Sequence, residues 1–275
     1  QGLYSLHMSE LITENRVLAL KRVLTLFLLL GSFVLWAQNG SSSFKKGEYL
    51  KYKIRYGLIN AGFTSLEVRE TEDENILHAI GKGWTTGMVG MVFKVDDNYQ
   101  TFFDKNTHRP KHFIRKVYEG GYTKDKEVFF DFKKHRARVV NHKRETDSTY
   151  FIQNDVKDLL QSFYYVRSID FDGYKENDAV NVRMFFDEQM YMVKVLVLGR
   201  ERLKTKFGEI DCIKIRPLVL EGRVFKDEEN VTLWVSDDQN KIPIKIKAAI
   251  LVGSVSAELI EATGLAHPVA LKMYR

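Results

Sequence analysis

The sequence predicts a mainly β chain, a long curled antiparallel sheet (barrel or half-barrel) with one amphipathic helix packed on it. Three observations predict it. Apolar and polar residues alternate with period two over most of the chain, the pattern of half-buried strands. Only the segment 155–168 carries helical spacing. Successive aromatics such as Phe129/Phe130 and Phe185/Phe186 point to opposite sides of a strand, so both sheet faces need cover.

Residues 1–37 read as a leader and signal peptide. A mostly apolar run, 23–36, follows Lys21-Arg22 and closes with Ala37-Gln38. A helix needs roughly 20 apolar residues to cross a bilayer, so the run is short for a permanent span. Cleavage after Ala37 would remove Arg16, Lys21 and Arg22 against Glu10 and Glu14, lowering the net charge of +6 by one. The expected location is therefore periplasmic or secreted, with no membrane span after cleavage. No cysteine follows the run to accept a lipid. Residues 38–43 (Gln-Asn-Gly-Ser-Ser-Ser) form a linker, 44–263 a single β-rich domain, and 264–275 a C-terminal tail.

The strands follow in order. In 49–56, Leu50, Tyr52, Ile54 and Tyr56 share one face and Lys51, Lys53 and Arg55 the other. Gly57 to Gly62 turns the chain and a strand resumes at 63–69. Further strands are expected at 76–84, 92–103, 111–118, 126–132 and 136–141. In the second half, Val180, Val182, Met184 and Phe186 share a face, and Asp187-Glu188-Gln189 leads into 190–198. Segments 200–207 and 210–216 make a hairpin about Gly208, and 231–236, 243–248 and 252–260 complete the set. Pro243 belongs at a strand start or edge, since it cannot donate to a ladder.

In the helical segment Val156, Leu159, Leu160, Phe163 and Tyr164 fall on one side, with Asn154 or Asp155 as N-cap. One such helix among a dozen strands must lay its apolar side on a sheet.

Several functions are disfavoured. A mild positive charge spread through strands, without a basic cluster or binding module, argues against nucleic acid. Cys212, the single cysteine, permits no internal disulfide and reads as an inert thiol. The seven histidines include no HExxH, and Pro110 interrupts His108 and His112, so no metal is expected. The acids Asp96-Asp97, Asp170-Phe171-Asp172-Gly173 and Asp237-Asp238 read as turn residues, and the second fails the spacing of a calcium loop. Nucleophile motifs such as G-x-S-x-G are missing. No cofactor is implied.

Gly47-Glu48-Tyr49-Leu50 with Tyr52, Ala61-Gly62 before Leu66, the run 158–167, the Gly208 hairpin, Trp234-Val235-Ser236-Asp237-Asp238, Ile242-Pro243, and Gly253-Ser254-Val255 with Glu258-Leu259 together resemble an exported bacterial family catalogued as domain of unknown function 3108. The resemblance implies a strongly curved antiparallel sheet in the periplasm with no assigned activity and no catalytic residues to carry over. The leading function is then non-catalytic binding of a lipid or lipid-linked glycan in the concavity. The expected ligand contacts are Trp84, Phe129, Tyr164, Tyr165, Arg167 and Trp234, with Tyr164, Tyr165 and Arg167 at the rim. A structural or protein-interaction module of the envelope is the alternative, and a hydrolase with an assembled carboxylate or His site a third.

Overall fold

The computed structural model describes residues 42–219, 231–249 and 253–269. The expected leader and signal peptide, most of the linker, and the tail beyond 269 lie outside them.

The first eight strands form a meander: β1 (Tyr49–Tyr56), β2 (Ile59–Glu70), β3 (Ile76–Thr85), β4 (Asp96–Asp104), β5 (Pro110–Glu119), β6 (Tyr122–Asp131), β7 (Arg136–Asn141) and β8 (Thr146–Phe151). The last six form another: β9 (Ala179–Phe186), β10 (Gln189–Thr205), β11 (Gly208–Val219), β12 (Val231–Ser236), β13 (Pro243–Ala249) and β14 (Ser254–Thr263). β1 pairs antiparallel with β14, from Tyr49 opposite Thr263 to Tyr56 opposite Val255, and so joins the two meanders into one 14-stranded sheet. Its two edges are β8 and β9, which are consecutive in the chain.

That order forces the curl. Strands lie about 4.8 Å apart, so a flat sheet would place β8 and β9 about 60 Å from each other. Yet Ile152 N–H bonds the His135 carbonyl, and Lys157 N–H bonds the Arg183 carbonyl of β9 at 2.9 Å. The intervening residues reach at most about 20 Å fully extended. The sheet is therefore rolled, as expected, but the barrel is not closed by a ladder. Lys157 makes one parallel bridge to Met184. Phe185 of β9 packs against Phe130 (6.2 Å) and Tyr150 (5.9 Å) across the gap.

The β9–β10 turn fastens the same closure with charge. Asp187 and Glu188 have φ of +46° and +64°, a two-residue turn that ordinarily favours Asn and Gly. Here Arg115 (3.0 Å) and Lys124 (2.7 Å) hold Asp187, and Lys126 (2.7 Å) holds Glu188, all from β5 and β6.

Among the described residues there are two helices. The α1 helix (Gly87–Val92) sits between β3 and β4, where the sequence suggested that a strand began at 92. The α2 helix (Leu159–Arg167) is shorter than the expected 155–168. Its N-cap is Asp158, whose carboxylate accepts from Gln161 N–H at 2.8 Å, rather than Asn154 or Asp155. The reason is the edge crossing: Lys157 is held extended by β9, and Asp155 pairs with Arg183. β8 was not anticipated either. Its sequence, TDSTYF, has no apolar alternation because nearly all of it is exposed.

The chain crosses the face of its own sheet to pass from one edge to the other, and α2 lies on that crossing. Leu160 and Tyr164 enter a core with Phe44, Val68, Leu77, Phe103 and Phe185. Val166 and Tyr165 pack against a second core built on Val195, Val197, Ile213, Ile215 and Val235. A third core joins Leu50, Tyr52 and Leu259 with Cys212, Trp234, Ile242 and Ile244, and takes in Leu265 and Val269 of the expected tail.

Arg167, at the end of α2, forms a bidentate pair with Glu48 at 2.6 and 2.8 Å, and both side chains are fully buried. Its Nη2 also donates to the Ser43 carbonyl, and Nε and Nη2 to that of Asn240. Phe44 and Tyr164 stack beneath the guanidinium at 5.4 and 5.5 Å. Ser43, expected in the linker, is thus part of the interior. Arg167→Met leaves the Glu48 carboxylate buried without its partner, and should cost about 3–5 kcal/mol in urea unfolding. Glu48→Leu with Arg167→Met should recover most of that loss; a single-variant cost under about 1 kcal/mol would remove the pair from its structural role.

Candidate functional site

The alternation of β3 turns Leu77, Ala79, Gly81 and Gly83 to one side, and both glycines leave floor where side chains would stand. Ala61 and Gly62 of β2 lie beside them in the same wall. Gly62 also has no room for a side chain, since a Cβ there would lie 2.1 Å from the Trp84 carbonyl oxygen. Over this floor lies α2, held off by its own Leu159, Leu160 and Phe163. The result is a cavity of about 550 Å³ bounded by β1–β4, α2 and Ile246 of β13. Its wall is almost wholly apolar; Lys82, Asp97, Thr64 and Thr85 are the polar exceptions.

On the far side of α2 a second apolar cavity, of about 190 Å³, runs between Phe163 and Val166 and the strands β9–β13, with Met184, Val193, Ile215, Leu233 and Pro243 in its wall. Leu159 and Phe163 line both. The helix therefore stands as a partition in one concavity.

Trp84 is in the wall of the larger cavity and Arg167 in that of the smaller. Phe129, Tyr164, Tyr165 and Trp234 line neither. The rim role expected of Tyr164 and Arg167 is corrected: both are fully buried, because α2 lies inside the curl and not across its mouth. Tyr165 is half-buried under the Lys157 ammonium at 4.8 Å. Phe129 stacks on His112 at 4.3 Å, in a row with Phe102 and His78 that runs across β6, β5, β4 and β3. Trp234 is buried, its indole N–H donating to Glu201 at 2.6 Å. The Trp84 indole packs on Phe63 with the Lys51 ammonium 6.0 Å away.

Burial sets the electrostatics. It pushes Asp97, at the cavity edge, up to about 6, with repulsion from the adjacent Glu119 adding to the effect. Asp158 rises to about 7 for the same first reason, although Gln161 N–H and Thr101 Oγ (2.5 Å) both favour its charge. Lys157 falls to about 8 and Cys212 rises to about 12, each through burial. The hydroxyls of Tyr52 and Tyr164 and the amide of Gln161 are buried without hydrogen-bond partners among the described residues.

Among the described residues no group of three His, Cys, Asp or Glu could hold a metal ion. No described helix is long and apolar enough to cross a membrane.

The DUF3108 profile, that of a protein of unknown function, matches residues 51–260. The chain belongs to the DUF3108 family. No curated protein matches its sequence. Among solved structures, the DUF3108 chain is similar to a β-barrel-like protein of domain of unknown function DUF1849 from Brucella abortus. The TM-score is 0.56 at 10% identity, over 80% of this chain and 98% of that one. That likeness concerns the fold. Weaker likenesses are to a candidate exported protein with a YmcC-like fold from Bacteroides fragilis (TM-score 0.34, 8% identity, 80% and 97% covered) and a candidate lipoprotein from Parabacteroides distasonis (0.32, 12%, 82% and 100%).

Asp158 yields a pH prediction. Between the unfolded-chain value of 3.8 and about 7, the folded protein keeps a proton that the unfolded chain has released. Stability should therefore fall as pH rises through that window and level off above it. Asp97 adds the same slope below about 6. Thermal unfolding of Asp158→Asn should lose the decline between pH 6 and 7 and keep only the share of Asp97 below it; an unchanged profile would contradict the assignment.

Proposed function

We propose that this protein binds an apolar or amphipathic molecule of the cell envelope, a lipid or lipid-linked glycan, in the concavity of its curled sheet, without chemistry upon it. The observation that carries this is the glycine-floored cavity of about 550 Å³ with an almost purely apolar wall. Ligand pockets span about 300–1,000 Å³, so its size suits a chain-like molecule. Each buried methylene contributes roughly 0.8 kcal/mol, so affinity would come from area, with Lys82 and Thr85 at the edge meeting a polar head. The second cavity across Phe163 supplies room for a further chain. Export through a cleaved signal peptide fits this reading, resting on the basic-then-apolar run at 21–37.

A second reading has one specific observation. Among the described residues β8 pairs only with β7, and its outer edge, Thr146–Phe151, offers itself to strand addition by a protein partner.

Gly83 offers a clean test of the first. A Cβ there meets nothing nearer than 4.0 Å, so Gly83→Leu should fill the cavity without disturbing the fold. Protein purified from its native host should yield a lipid on solvent extraction and mass spectrometry, and Gly83→Leu should yield at least tenfold less. Equal lipid in both, or none in the native protein, would end this reading.

A further inference from the structure

The two ends of the β1–β8 meander differ in kind. The turns β2–β3, β4–β5 and β6–β7 are polar: Thr71-Glu72-Asp73-Glu74-Asn75, Lys105-Asn106-Thr107, and Lys133-Lys134. At the opposite end the turns β1–β2, β3–β4 and β5–β6 are not, while the outermost turn there, β7–β8 (His142-Lys143-Arg144-Glu145), is charged. Among the described residues eleven large hydrophobic side chains are exposed, and all but Phe129 and Phe151 belong to this end. Leu58 is 101% exposed, Met88 75%, Met91 80% and Val92 89%. Folding alone would not place them there.

The three turns are bound into one surface. Thr86 N–H donates to the Ala61 carbonyl of β2, and Gly120 N–H to the Lys94 carbonyl. Gly120, at φ +55°, lies so close beneath the Phe93 ring that a Cβ would come within 2.3 Å of it. Tyr118 and Tyr122 flank the crest with Lys94 and Lys124 over their rings at 5.7 and 6.0 Å. Amphipathic rings with cations beside them, behind a projecting apolar tip, match the depth profile of a membrane interface. Lys94 and Lys116 are offset by Asp96 and Glu119, so insertion rather than charge must supply the attraction. The crest also adjoins the larger cavity: Ala61 and Thr85, which anchor the α1 turn, are both in its wall.

We infer that these three turns insert into the headgroup region of a lipid bilayer and set the cavity mouth at its surface. The docking stands on the crest alone; its use, exchange of a lipid between bilayer and cavity, rests on the proposed function. A second protein would meet such a crest with a groove, and nothing about three separate projecting turns favours that over a surface that deforms to receive them.

Met91→Cys in the full chain, labelled with an environment-sensitive dye, tests the contact directly, since the buried Cys212 will not react. On vesicles of phosphatidylethanolamine and phosphatidylglycerol the label should shift to the blue and be quenched by nitroxide acyl chains. At Phe151→Cys quenching should be several-fold weaker. Raising the salt concentration should change neither result. No quenching at 91, equal quenching at both sites, or a blue shift without vesicles would overturn the inference, the last in favour of a protein contact. Met88→Glu with Met91→Glu should abolish vesicle binding by this end yet leave uptake of a fluorescent fatty acid from solution unchanged. Gly83→Leu should do the reverse, so failure of the docking and failure of the cavity are told apart.

Discussion

Three segments far apart in the sequence meet at the Arg167 guanidinium. Its partners come from residues 43–48, from the end of α2 and from the turn before β13, segments more than a hundred residues apart in part. Removing two charges from water costs several kcal/mol for each ion, so the pair is poor evidence of net stability. What it supplies is position. A bidentate fork accepts one geometry, and the carbonyls of Ser43 and Asn240 take the donors that the carboxylate leaves. Asn240 in turn holds His267 through both its amide groups, bringing the chain beyond β14 to the same point.

With α2 pinned at its C-terminal end by that pair and at its start by Asp158 and Thr101, the helix cannot settle flat on the sheet. It stands as a strut within the curl. The space left beside it follows from where β2 and β3 carry glycine and alanine in place of side chains. Cavity and core therefore share one cause. The residues that keep the sheet rolled also keep it from filling.

Much of the fold was legible because burial on one face writes itself as alternation. The strands at 49–56, 231–236 and 243–249 follow it closely. β8 was illegible for the converse reason, since an exposed edge strand leaves no apolar period to read. The helix start was misplaced because a distant strand, β9, takes the backbone of Lys157, and no local signal reports a partner 27 residues away. The candidate contacts fared differently. Aromatics such as Tyr164 and Trp234 were visible as large side chains, but sequence does not say which side of a rolled sheet is covered. The telling signal was the opposite one, Gly81-Lys82-Gly83 and Ala61-Gly62, where absence of bulk within a strand marks space.

The seam between β1 and β14 has a consequence for biogenesis. Every other pairing in the sheet joins neighbours in sequence and can form as the chain emerges. This one joins β1 to β14 across some two hundred residues, among the longest-range contacts of the described residues. Until β14 has emerged, β1 presents a bare edge of Tyr, Leu and Ile, the kind of template on which other chains pair wrongly. The alternating lysines and arginine at 51, 53 and 55 keep that waiting edge charged on one face. The sheet is thus completed only once β14 is available, and depends on β1 staying unattached until then.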